Sequence, residues 1–172
     1  ESDCRSDRER SELAEFDNRS LEGAEAWYGF SFYLPPDWPD VWPTKTVIAQ
    51  WHQEWCHVVW MILHQHGSLV LDNQSGGSSR ERIELIPADE LRGRWHRIEF
   101  HAKWSTRKDG LIRLYLNGDL KVERTGPNMT ADKVYFKYGV YRSFISRHGH
   151  PVPTQIAYFA NVSKAESREG LK

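Results

Sequence analysis

Apolar and polar residues alternate along most of this chain, and a period of two predicts strands. In Tyr135-Phe136-Lys137-Tyr138-Gly139-Val140-Tyr141, one face takes Tyr135, Lys137, Gly139 and Tyr141, and the other takes Phe136, Tyr138 and Val140. The second set reads as core. The first offers a cation, two phenols and a glycine, which lets a ligand approach the backbone closely. Gln50-Trp51-His52 repeats the logic, with an amide and an imidazole on one side and an indole behind them. Arg8, Arg10 and Glu12 also alternate as one strand face, although the composition of this stretch fits a helix as well.

Further strands follow from the same pattern at residues 27–34, 46–53, 58–64, 69–71, 82–86, 95–104, 112–116, 121–124 and 154–162. Pro35-Pro36 stops the first of these, and a bend at residues 54–57 separates the next two. Residues 73–79 have the composition of a mobile loop, and residues 87–91 supply one helical turn. Asn117-Gly118 signals a type I′ hairpin, because both central residues of that turn need positive φ. Roughly ten short strands with turn signals between them and almost no helix mean an antiparallel all-β sandwich, or jelly roll. Neither an internal repeat nor a linker divides the chain, so residues 1–172 are expected to form a single domain.

Charge changes the picture next. The formal net charge is −1, so no global basic field points to nucleic acid or to an anionic membrane, and an anionic ligand must meet a local cluster of cations. No run of eighteen apolar residues exists and the first residues are polar, so neither a membrane helix nor a signal peptide is expected within the sequence. Cys4 and Cys56 allow one disulfide or none. The sequons at Asn18, Asn73, Asn128 and Asn161 decide nothing about compartment. His64-Gln65-His66 puts two imidazoles on one strand face, but no third ligand has suitable spacing, so both read as solvent-facing strand histidines and no metal site is expected. Trp38 and Trp42 fit either sugar platforms or the closure of a sandwich end.

Arg10-Ser11-Glu12-Leu13, Gln50-Trp51-His52 and Tyr135-Phe136-Lys137-Tyr138-Gly139-Val140-Tyr141 occur in the order of the three signature strands of jelly-roll polysaccharide lyases. The set resembles the alginate lyases, while the wider chain is similar to the glucuronan lyase and heparin lyase I relatives. That wider likeness lies in Trp95-His96-Arg97, the Leu114-Tyr115-Leu116-Asn117-Gly118 hairpin and residues 154–159. The alginate-lyase motif continues as Asn-Gln where this chain has Arg142-Ser143. The resemblance implies a concanavalin A-like jelly roll and an enzyme that cuts a uronic-acid polymer by β-elimination. It implies a monomer outside the cytoplasm, secreted or periplasmic, with an anionic polysaccharide as its partner. No catalytic cofactor is implied, and a structural calcium, which some relatives hold, is left open.

Elimination must remove the weakly acidic C5 proton, stabilise the enolate-like carboxylate and protonate the departing O4. Gln50, helped by Arg10 or His52, is expected at the carboxylate, with Lys137, Tyr135, Arg8 and Arg142 binding uronate groups. Tyr141 is expected as the acid at O4, and as the base at C5 if Lys137 and Arg142 favour its phenolate, since a phenol ordinarily ionises near 10. In glucuronate and mannuronate the C5 proton and O4 lie on one side, so one tyrosine serves both steps. In guluronate or iduronate they lie on opposite sides, which calls for His52 as base. Taken singly, His52 fits a half-buried structural histidine, Tyr141 a plain aromatic strand residue, and Arg10 with Glu12 a structural ion pair. A non-catalytic carbohydrate-binding sandwich is the chief rival. A jelly-roll glycoside hydrolase would need a Glu-x-Asp-x-x-Glu array that the sequence lacks.

Overall fold

The computed structural model describes residues 7–15, 17–53, 58–75 and 81–172. Cys4 and Cys56, the bend at residues 54–57 and most of the glycine-serine loop lie outside these residues. In chain order the strands are β1 (Arg8–Ala14), β2 (Ser20–Leu21), β3 (Glu25–Tyr33), β4 (Lys45–Gln53), β5 (Val58–Gln65), β6 (Ser68–Asn73) and β7 (Glu81–Ile86). One helical turn, α1 (Ala88–Leu91), precedes β8 (Trp95–Lys103), β9 (Leu111–Leu116), β10 (Asp119–Thr125), β11 (Lys133–Ser143) and β12 (Tyr158–Ala165). They form two antiparallel sheets. The first runs β1-β11-β4-β5-β6-β7, with β2 beside β11, and the second runs β10-β9-β8-β3-β12.

Alternation decides which face of each strand is buried. Tyr28, Phe30 and Phe32 of β3 and Ile98 and Phe100 of β8 meet Ile48, Trp51, Trp60 and Ile62 of the first sheet. Trp51 lies flat on Phe100, with ring centroids 3.7 Å apart, and so joins the two sheets at their centre. The buried Tyr28 hydroxyl is satisfied by Ser20 Oγ at 2.7 Å and accepts from Trp104 Nε1 at 3.2 Å. The hairpin at Asn117 and Gly118 has φ of 52° and 92°, the two positive values that its turn type requires.

Three features depart from the sequence reading. The last strand begins at Tyr158, because Gln155 accepts from Thr46 Oγ1 and donates to the Pro39 carbonyl, tying residues 154–157 to the loop before β4. A 3-10 turn, Ile145–His148, follows β11, entered through Phe144 in the left-handed region. His64 is not solvent-facing. It shares the core side of β5 with Trp60 and Ile62, at 3% exposure, while His66 leaves the strand at φ 50°.

His64 has a measurable consequence. Its Nε2 has no hydrogen-bond partner, and Nδ1 lies 3.8 Å from an Asp40 oxygen. Burial pushes the imidazole down to about 4, partly offset by Asp40 and reinforced by Arg92. The unfolded chain therefore takes up the His64 proton first as pH falls. The stability of the neutral form is complete above the ordinary value of 6.5 and lost progressively down to about 4, a change of about 3 kcal/mol. His64→Gln should unfold with a shallower pH dependence over that interval in denaturant titrations. Parallel curves for parent and variant would remove His64 from the acid response.

Candidate active site

The three motif strands are neighbours, since β11 pairs with β1 on one side and with β4 on the other. The register sets their side chains in rows on the face turned away from the core. Arg10 stands opposite Tyr141, which stands opposite Val47; Ala14, Lys137 and Gln50 form another row, and Tyr135 faces His52. Sequence-distant residues thus meet because one central strand carries both registers.

The floor of this face is apolar beyond the motif strands. Val47, Met61, Leu63 and Val70 make a small second cluster on which the Tyr141 ring rests. Arg10 lies over that ring, its guanidinium carbon 5.1 Å from the centroid, and so sets a cation beside the phenol. Tyr135 is bordered by Arg19 and Lys137, at 5.5 and 5.6 Å, and by the His52 ring at 5.2 Å. Burial pushes the Tyr135 phenol up, with Arg19 pulling the other way, so it is the tyrosine suited to donating a hydrogen bond while neutral.

Glu12, on the same face and 4% exposed in its side chain, accepts from Gln50 Nε2 at 2.5 Å and lies 3.8 Å from Arg10. One amide N–H of Gln50 is therefore committed to Glu12, and Gln50 itself is only 2% exposed, so it belongs to the floor. His52 Nδ1 donates to the Gln53 carbonyl at 2.7 Å, which leaves Nε2 as the lone-pair nitrogen of the neutral ring. Neutral His52 is thereby built to accept a proton or a hydrogen bond. To donate to a carboxylate from Nε2 it must be charged.

Arg142 does not join this group. It follows Tyr141 directly and points to the opposite side of β11, where it is ion-paired with Glu9 and donates to the Pro153 carbonyl at 2.7 Å. Arg142, expected to bind uronate and to favour the Tyr141 phenolate, is thus not brought together with Tyr141, Lys137 and Gln50. Gly139 departs too. The space its missing side chain leaves is filled by β1, with Ser11 O only 2.2 Å from where a Cβ would stand, so β1 rather than a ligand uses the glycine.

Several residues outside the motifs share the face. Arg8 lies in a row with Ser143 and Lys45, and the Lys45 amine reaches the Met61 sulfur at 3.1 Å, next to Gln50 in the register. Asp72, Arg82 and Glu84 extend the rows across β6 and β7. Cations thus outnumber carboxylates here, in a chain whose net charge is −1. Trp38 is core at 2% exposure, and Trp42 is open at 47%. Among the described residues no three His, Cys, Asp or Glu side chains gather as a metal site, and no helix is long and apolar enough to cross a membrane.

A family model described as polysaccharide lyase matches residues 1–163. Against curated protein sequences no match was found. Among solved structures the fold is similar to an endo-β-1,4-glucuronan lyase from the fungus Trichoderma reesei, at 21% identity and a TM-score of 0.72, over 91% of this chain and 74% of that one. It is also similar to an alginate lyase of polysaccharide lyase family 7, at 19% identity and a TM-score of 0.64, over 89% and 70% of the two chains. An alginate lyase from Pseudomonas aeruginosa matches at 14% identity with a TM-score of 0.62, over 91% and 73%.

Proposed function

The chain belongs to the polysaccharide lyase family, and from that premise we propose that it cleaves a glucuronan-like polymer of β-1,4-linked glucuronate by β-elimination, leaving an unsaturated uronate end. The observation that carries this reading is the convergence of β1, β11 and β4, which puts Arg10, Tyr141, Lys137, Gln50 and His52 on one cation-rich face. The likeness to the fungal glucuronan lyase supports the choice of polymer, as does Arg142-Ser143 where the alginate-lyase motif has Asn-Gln.

In this mechanism the uronate carboxylate lies over Gln50 and Lys137, whose N–H groups face the charge that builds as C5 loses its proton. The Tyr141 oxygen takes that proton, the C4–O4 bond breaks as the C4–C5 double bond forms, and the same phenol returns the proton to O4. Arg10 beside the ring is the cation that accompanies the phenolate. Glu12 holds Gln50 from below and keeps Arg10 aimed across the face. A secreted or periplasmic setting belongs to this reading.

The His52 tautomer favours a second reading, in which Nε2 removes a C5 proton that lies opposite O4, as in guluronate. Incubation with glucuronan, mannuronate-rich and guluronate-rich alginate, heparin and hyaluronan, followed by ultraviolet absorbance of the conjugated product, separates the two. A rise on glucuronan is the expected result. A rise confined to guluronate-rich alginate would transfer the base to His52, and retardation in an affinity gel with no product from any polymer would leave a carbohydrate-binding sandwich.

A further inference from the structure

Beyond the Arg8–Ser143–Lys45 row, the open face ends in a pocket of about 90 Å³ that none of the three motifs reaches. Leu63 forms its floor, Lys45 and Arg82 its sides, and Trp42, Phe144 and Arg147 its rim. The rim is held in place. Phe144 takes φ 62° and ψ 41°, a conformation that a bulky side chain adopts only when its surroundings impose it. Here the Phe144 amide donates to the Asp7 carbonyl at 3.0 Å, and Asp7 Oδ1 and Oδ2 accept from the Ser146 amide and hydroxyl at 2.7 and 2.9 Å. The turn therefore carries Arg147 back over Phe144, its guanidinium carbon 3.9 Å from the ring centroid. Among the described residues no carboxylate lies within ion-pair distance of Arg147, so its charge is presented outward.

A fixed guanidinium without a carboxylate, beside an exposed indole and an exposed phenyl, is a surface that pairs an anion with the apolar side of a sugar ring. Its place decides which sugar. Ser143 is two residues past Tyr141 on the same side of β11, roughly 7 Å along the strand, so the pocket adjoins the bond-breaking phenol from the side away from Gln50 and Lys137. We propose that Trp42, Lys45, Phe144 and Arg147 form a second uronate subsite, which takes the acidic sugar unit adjacent to the one that loses its C5 proton. Arg147 anchors its carboxylate, the Lys45 stem lines the side of the pocket, and Trp42 and Phe144 carry the ring. The assignment rests on the elimination reading above for which sugar reacts, but its anion-binding claim stands apart from it. It makes the enzyme favour polymers with a carboxylate on every unit over those in which uronate alternates with a neutral sugar.

Arg147→Ala and Trp42→Ala, both at exposed positions, test this by steady-state kinetics on the polymer cleaved in the panel and by gel retardation with glucuronan and hyaluronan. The expected result is a KM about tenfold higher with kcat nearly unchanged, since binding to the neighbouring sugar is equal in ground and transition states. Arg147→Lys should recover part of the loss. Retardation by glucuronan should weaken in both variants, and by more than any retardation by hyaluronan weakens in Arg147→Ala. Unchanged KM and retardation in both variants at parental melting midpoints would overturn the subsite. Absence of product from every polymer, with glucuronan retardation still weakened by Arg147→Ala, would overturn the elimination reading and support the subsite.

Discussion

Tyr141→Phe is expected to lower the rate of unsaturated product formation by about a thousandfold or more, with polymer binding and melting midpoint near those of the parent. The size follows from the role. One oxygen takes the C5 proton and returns it to O4, so its removal takes both proton transfers at once, and no neighbouring side chain on β11 can substitute. The clean separation from stability follows from the packing. The ring rests on Val47, Met61, Leu63 and Val70 and under Arg10, and phenylalanine keeps all of those contacts. The hydroxyl makes no hydrogen bond among the described residues, so its loss leaves no buried donor stranded. Initial rates by ultraviolet absorbance, with binding followed in an affinity gel, read the two quantities independently. A variant within a few-fold of parental kcat would remove Tyr141 from the chemistry and turn attention to His52, whose Nε2 has the tautomer of a base.

Alternation alone reveals part of this site. Residues on β1, β4 and β11 keep a period of two through their motifs, so Arg10, Gln50, His52, Lys137 and Tyr141 could be put on faces, and only their meeting on one sheet needed the pairing order. Alternation held the answer for His64, expected at the surface, and it also sets Arg142 on the side opposite Tyr141. Arg142 directly follows Tyr141 and had to point away from it, and His64 continues Trp60 and Ile62 toward the core. For His64, its spacing from His66 hides that geometric rule. Other features were not legible by any local pattern. The Glu12–Gln50 bond joins strands that never touch, being separated by β11, and Arg147 reaches the face through a left-handed residue that no propensity assigns to phenylalanine. Lys45 precedes the strand expected at residues 46–53, and no local pattern turns its amine to Met61.

Gly139→Ala is expected to destabilise the fold by about 3 kcal/mol or more and to take activity down further than the folded fraction alone accounts for. Two costs combine. At φ +133° an alanine is strained whatever the space around it, and its Cβ would lie 2.2 Å from Ser11 O and 2.8 Å from Glu12 Cα. Those atoms are backbone of β1, paired with β11 from Arg8 to Ala14, so no side chain can swing aside to relieve the contact. The strand itself must move. Among the described residues β1 is an edge strand with β11 as its one partner, so it yields more easily than the buried centre of the sheet, and as it yields it takes Arg10 from Tyr141 and Glu12 from Gln50. Gly118→Ala supplies the comparison, because φ is +92° there but nothing lies within 4 Å of the new Cβ, leaving the backbone strain alone, about 1 kcal/mol. Chemical denaturation of the two variants, with lyase rates measured where each is fully folded, separates the strain from the collision. Equal losses in both would show that β1 accommodates the methyl group without moving, and the close approach of β1 at Gly139 would then have no part in holding the site together.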